Sequence, residues 1–231
     1  MVKLRPHQQE VVNFNGGRMG VSAVPGSGKT QTLSYLAARL IADGLVNEDQ
    51  EVLIVTLVNS AVDNFSKRVK GFIQDAGLLP GLGYRVRTLH GLANDIVREQ
   101  PGVVGLSAQF AILDEPESAQ ILRTVSVSWL KNHPELIQAY ARDEGAFSAS
   151  NQRSWEDMAV SLGSAFIRQA KDLQLDAMQL RQRLGDAGVE DLLLNAGCEF
   201  YADYQKALEY RGALDFDDLI RLALRVLEVD P

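Results

Sequence analysis

The order of apolar and polar positions along the chain predicts an alternation of strands and helices, followed by a long helical stretch. MGVSAV (19–24) is a short apolar run that predicts a buried strand. In KTQTLSYLAARLIADG (29–44), Leu33, Leu36, Ala37, Leu40 and Ile41 recur on one helical face, and Gly44 suits a C-cap. After the polar turn NEDQ, the unbroken apolar run EVLIVTLV (51–58) predicts a strand covered on both faces of a parallel sheet. A helix is expected over about Ser60–Gln74, a strand at YRVRT (84–88) and a helix at LHGLANDIVRE (89–99). This order is that of a doubly wound α/β domain with right-handed crossovers.

Past residue 108 strand patterns nearly vanish, and helical spacing dominates from Glu115 onward. GAFSASNQRS (145–154) reads as a loop. The pattern therefore divides the chain into an α/β part over 1–108 and a mainly helical inserted subdomain over 109–205.

Composition narrows the class. A chain of 231 residues is long enough for one large or two small domains with a sizeable core. The longest apolar run, VLIVTLV, is too short to span a bilayer, and MVKLRPHQQE lacks the apolar region of a secretion signal. A single cysteine, Cys198, excludes an internal disulfide framework and suits a reducing cytosol; it reads as a small buried apolar residue. Trp129 and Trp155 read as core. The three histidines His7, His90 and His133 lie too far apart for a metal cluster. A net charge of −7 argues against coating nucleic acid by bulk attraction, but leaves room for a local groove. Lys67, Arg68, Lys70, Arg85, Arg87 and Arg98 are concentrated in the first part, the first three reading as a solvated helix face.

AVPGSGKT (23–30) carries the chemistry. It fits a phosphate loop with Ala23 in place of the first glycine. Gly26 and Gly28 permit torsions that turn successive N–H groups toward phosphate oxygens, and the helix that follows adds its dipole. Lys29 is expected to reach the β- and γ-phosphates as the catalytic group, and Thr30 to ligate Mg²⁺. Ala23, Val24, Pro25, Gly26, Ser27, Gly28, Lys29, Thr30 and Gln31 are the candidate ATP-binding segment. The loop implies nucleotide binding; it does not distinguish a motor from a kinase or a switch.

Hydrolysis also needs a carboxylate near the metal. FAILDE (110–115) offers Asp114 and Glu115 at a strand end, yet Pro116 and the helical run after it make the same acids a helix start. LDFDDL (214–219) offers Asp215 as an N-cap with Asp218 three residues on. On residues alone, the metal-ligand and capping readings of Asp114 and Glu115 stand side by side.

Several segments in order resemble the UvrD/Rep-like superfamily 1 DNA helicases. RPHQQE resembles the family's glutamine motif, with Gln8 as the adenine-reading residue. AVPGSGKT resembles its phosphate loop, where alanine at the first position is usual. IVTLVNSAVDNFSKRV (54–69) resembles the next motif: Asn59 and Ala61 match, while Leu57, Val58 and Ser60 stand where the family has Phe, Thr and Lys. RTLHGLANDIVR (87–98) resembles the Thr-x-His motif, FAILDEPES the opening of the helical insertion, and ALDFDDLI (213–220) the acidic segment before the hydrolytic Asp-Glu-x-Gln-Asp motif.

The resemblance implies a RecA-like parallel sheet, with 206–231 returning to that domain after the insertion. It implies an ATP- and Mg²⁺-dependent, cytoplasmic helicase that steps 3′ to 5′ along single-stranded DNA at duplex junctions. Asn59, Thr88 and His90 would then contact DNA, and neither FAILDE nor LDFDDL would be the Mg²⁺ site; the hydrolytic acids are expected beyond Pro231. Two rivals compete with this reading. One is another phosphate-loop phosphoryl-transfer enzyme with Asp114, Glu115 or Asp217 as metal ligands. The other is a non-catalytic module that binds ATP and single-stranded DNA.

Overall fold

The structure, a computed structural model, describes residues 4–47, 49–134, 149–188 and 191–230. The chain divides into two compact units, Met1–Leu92 and Ala93–Pro231.

The first unit holds α1 (Pro6–Val12), α2 (Lys29–Ala42), β1 (Val52–Thr56), α3 (Asn59–Asp75), β2 (Tyr84–Thr88) and the start of α4 (Leu89–Glu99). β1 and β2 pair in parallel from Val52 opposite Tyr84 to Thr56 opposite Thr88. The apolar stripes of α2 and α3 meet in one core: Ala37, Ala38, Val69 and Ile73 are buried against Val52, Ile54 and Tyr84. α2 ends where Gly44 takes φ +65°, one residue beyond the Asp43 cap. There the N–H of Leu45 donates to Leu40 and that of Gly44 to Ile41, the reciprocal pair that closes a helix on a left-handed glycine.

Two strand expectations need correction. MGVSAV (19–24) forms no strand, and Met19 (45% exposed) and Val24 (72%) are open. A strand exists only through a paired neighbour, and no ladder partner runs beside 19–24 among the described residues. β1 is not covered on both faces either. Val52 and Ile54 face the helices, whereas Leu53 and Val55 are each 44% exposed on the other side. The sheet of this unit is one-sided among the described residues: its run of β-branched residues signals strand propensity but not a second covering layer.

The second unit contains the rest of α4, β3 (Ala111–Ile112), α5 (Glu115–Asn132), α6 (Ala149–Asp172), α7 (Ala177–Asp186), α8 (Leu192–Tyr210), β4 (Ala213–Leu214) and α9 (Phe216–Val229). β3 and β4 pair in parallel and so close the root of the helical block. Within it Ile121, Leu122, Ile167, Tyr201, Tyr204 and Leu208 form one core, and in another Trp129 stacks on His133 and meets Phe200 at a tilt. Trp155 packs at the edge of that second cluster, and Cys198 is buried. The loop expected at 145–154 is helical from Ala149, while 145–148 lie outside the described residues.

Gly197 marks the closest approach of α6 and α8: a Cβ placed there would lie 2.6 Å from the Phe166 ring. Gly197→Ala is therefore expected to destabilise the helical unit by about 1–3 kcal/mol through overpacking. Urea unfolding followed by circular dichroism measures this.

Candidate nucleotide site

The loop that precedes α2 is built by backbone geometry. The N–H of Ser27 donates to the Val24 carbonyl at 3.2 Å and tightens the turn. Gly26 (φ +78°) and Gly28 (φ +89°) both lie in the left-handed region that side chains resist. Gly28 is also the N-cap of α2, and the first intrahelical bond runs from Thr32 N–H to its carbonyl at 2.9 Å. The N–H groups of Lys29, Thr30 and Gln31 thus precede any intrahelical acceptor and sit at the positive end of the helix. Thr32 and Ser34 bond back to the carbonyls of Gly28 and Thr30, at 3.1 and 2.8 Å, which pins the first turn.

A cavity of about 620 Å³ opens beside this turn. Gln8, Val11, Ala23, Ser27, Lys29 and Thr32 are among its walls. Lys29 is exposed, Thr30 and Gln31 are half-buried, and Val24, Pro25 and Gly26 stand out at the tip of the turn. The Ser27 hydroxyl is buried with no partner in the protein, so a polar atom at the loop awaits a ligand. Left-handed glycines, orphan N–H groups, a lysine and this hydroxyl fit a polyphosphate.

Gln8 is already engaged. Its Oε1 accepts from the N–H of Arg5 at 2.9 Å, and its Nε2 donates to the Ser27 carbonyl at 3.1 Å. The sequence identified Gln8 as a candidate base reader but gave no sign of its bond to the loop. Glu10 is the one carboxylate among the described residues lining the cavity, and it is an exposed partner of His7 at 3.6 Å.

The acids that competed for the metal have other partners. Asp114 caps α5: it accepts from Glu117 N–H at 2.9 Å, and Glu117 accepts from Asp114 N–H at 3.2 Å. Glu115 is a first-turn acid of the same helix. Asp215 caps α9 through Asp218 N–H at 2.9 Å, and it also enters a buried network that spacing alone did not reveal. The Lys171 ammonium lies 2.5 Å from Asp215 and 3.0 Å from Asp218, Arg221 lies 3.2 Å from Asp218, and the Tyr204 hydroxyl donates to Asp215 at 2.8 Å. Burial alone would raise Asp215, but the Lys171 charge and the converging donors hold its carboxyl below the usual range. Burial pushes Asp218 up against the pull of Lys171, and it pushes the Tyr204 hydroxyl up too, keeping it a donor. Asp217 is exposed, and it lines a cavity of about 390 Å³ with Glu115, Arg168 and two members of the network, Tyr204 and Asp215. No group of three metal-ligating side chains occurs among the described residues.

The in-register pairing of β1 and β2 brings the candidate DNA residues to one sheet edge. Asn59 opens α3 just past the end of β1 and is exposed, while Thr88 ends β2 and His90 lies in the first turn of α4. Carboxyl ends of parallel strands are where such folds hold ligands. Thr88 has a local duty as well: its Oγ1 accepts from Gly91 N–H at 3.0 Å. Leu57 is 82% exposed beside Asn59. Lys67, Arg68 and Lys70 are exposed along α3, as a solvated face requires.

A turn of this kind opening a helix is a candidate phosphate-binding turn in a mixed helix and strand fold. The chain belongs to the UvrD/REP helicase N-terminal domain family, whose model matches residues 4–231. It is 26% identical over 227 residues to the ATP-dependent DNA helicase Rep of Escherichia coli, covering 98% of this chain and 29% of that protein. It is 28% identical over 229 residues to the ATP-dependent DNA helicase UvrD1 of Mycobacterium leprae and 27% identical over 229 residues to the ATP-dependent DNA helicase PcrA of Bacillus subtilis. Each match covers 99% of this chain and 26% of the relative. No helix among the described residues is long and apolar enough to cross a membrane.

The buried network makes a stability prediction. Lys171→Met strips the shared cation from two buried carboxylates and should destabilise the helical unit by about 3–5 kcal/mol. Lys171→Met combined with Asp215→Asn should recover part of that loss, since one buried charge goes with its partner. Denaturant midpoints of the two variants measure both effects.

Proposed function

We propose that this chain is the ATP-binding part of a DNA helicase that moves 3′ to 5′ along single-stranded DNA toward duplex junctions. The observation that carries the reading is the turn at Gly26–Gly28, with Lys29 and Thr30 on a helix N-terminus beside an open cavity. Family membership supports the motor over other uses of the same loop.

In this reading the loop N–H groups and Lys29 hold the phosphates, Thr30 holds Mg²⁺, and Gln8 faces the adenine from α1. Bound ATP supplies a cleavable phosphoanhydride; the chain's own groups bind it, orient it and offset its charge. Asn59, Thr88 and His90, gathered where β1 and β2 end, would touch the DNA strand, with local stacking and backbone contacts tolerating the acidic net charge. The paired strands β3 and β4 support 109–205 as a helical subdomain inserted between the RecA-like 1–108 and its continuation in 206–231. The protein would work in the cytoplasm.

The phosphoryl-transfer alternative loses ground because Asp114 caps α5, Glu115 is a first-turn acid of the same helix, and neither Glu115 nor Asp217 lines the cavity beside Lys29. Residues 1–231 contain no Asp-Glu-x-Gln-Asp sequence. In other phosphate-loop enzymes an arginine supplied from outside the loop is worth about 10³–10⁵ in rate. The 231-residue chain alone is therefore expected to bind Mg·ATP weakly and turn it over hardly at all, with or without single-stranded DNA.

Two measurements test this. Lys29→Ala should abolish Mg·ATP binding in calorimetry with the circular dichroism spectrum unchanged; undiminished affinity would reduce the loop to a turn. Asp114→Asn should leave phosphate release by the chain as low as before. Robust turnover that vanishes in Asp114→Asn would make FAILDE the metal site and end the helicase reading of this segment.

A further inference from the structure

We infer that Gln8 is a positioning residue of the phosphate loop: it latches the Ser27–Gly28 peptide so that the Gly28 N–H is aimed at the phosphates before nucleotide arrives. The inference rests on the nucleotide-site reading above and adds to it a role for Gln8 that is independent of the base.

The geometry runs through one peptide plane. Gln8 sits three residues after Arg5, and the Arg5 N–H bond to its Oε1 at 2.9 Å fixes the amide's orientation from its own helix start. That leaves Nε2 to donate to the Ser27 carbonyl at 3.1 Å, across nineteen residues of chain. A trans peptide is planar, with its C=O and N–H on opposite sides. Holding the Ser27 carbonyl toward α1 therefore turns the Gly28 N–H away from α1. The left-handed φ of Gly28 continues the same turn into α2. The fit is close on both sides, since a Cβ on Gly28 would lie 3.1 Å from Gln8 Nε2. A glutamine whose amide only read a base would need no bond to the loop. Here one amide N–H and one Oε1 lone pair stay free for a base, so the same side chain can sense adenine and set the loop. Preorganised donors bind an anion more tightly because they are not reoriented on binding.

The test separates the phosphates from the base. Mg·tripolyphosphate, Mg·ATP and Mg·GTP are titrated calorimetrically into the 231-residue chain, its Gln8→Met variant and its Gln8→Ala variant. Gln8→Met keeps the side-chain length and removes both amide bonds. A latch predicts that both variants lose about five- to tenfold in affinity for tripolyphosphate, the worth of one neutral hydrogen bond. It also predicts a shifted and broadened Gly28 amide resonance in the free variants, because the unheld Ser27–Gly28 peptide samples other orientations, with the amide resonances of α2 beyond Ser34 unmoved. If wild type binds tripolyphosphate and both variants bind it equally well, the latch is overturned while the nucleotide site stands. If the Gly28 resonance keeps its wild-type position and width in both variants, Gln8 serves only its own helix start and the latch is overturned as well. If wild type binds none of the three ligands, the nucleotide-site reading fails and takes the latch with it.

Discussion

The first unit depends on the parallel ladder between Val52–Thr56 and Tyr84–Thr88. Register in a ladder is all or nothing: a slip of β1 by one residue would turn Val52 and Ile54 out of the core and Leu53 and Val55 into it. With the register fixed, α2 and α3 lie on one face, and their shared core of Ala37, Ala38, Val69 and Ile73 holds the start of α2 in place. The candidate phosphate-binding turn is the segment that feeds this helix, so its glycines turn in a frame they do not themselves make. The same ladder ends at Thr56 and Thr88, which is why Asn59, Thr88 and His90 gather at one edge although they are far apart in sequence.

The helical unit is organised by a different constraint, the buried charges around Lys171. Two carboxylates, an ammonium and a guanidinium buried near Tyr201 and Tyr204 are tolerable only because their charges pair with one another, with the Arg221 Nε alone in the set left without a partner. Lys171 comes from α6, Tyr204 from α8, and Asp215, Asp218 and Arg221 from the start of α9, so the set ties three helices at one point. It also explains why Asp215, for all its acidic neighbours, is a poor candidate for a metal: its oxygens already have three donors.

What the sequence made legible follows from how local each signal is. The edges of α2 and α4, the β2 strand and the cap at Asp114 rest on periodicity, turn glycines and residues three apart, and the structure carries them as expected. MGVSAV failed because apolar content gives strand propensity, whereas a strand needs a partner that composition does not name. The open face of β1 was misread for the same reason. Nothing local marks Lys171: its partners lie forty-four or more residues away, and a lone lysine on a helix usually means solvent. The Gln8 bond to Ser27 spans nineteen residues and has no local signal either. Gly197 had a signal of its own, a glycine inside a long helical pattern, which commonly marks a close packing partner.

The central claim is that the segment around Gly26–Thr30 holds a nucleotide triphosphate, and a ligand titration followed residue by residue tests it most directly. On adding Mg·ATP to the isotopically labelled chain, the backbone amide resonances of Gly26, Gly28, Lys29 and Thr30 and the side-chain amide of Gln8 should shift first and together. The amides of Glu115, Arg168 and Asp217, around the other cavity, should stay still. Shifts centred on that second cavity, with the loop amides unmoved, would contradict the account.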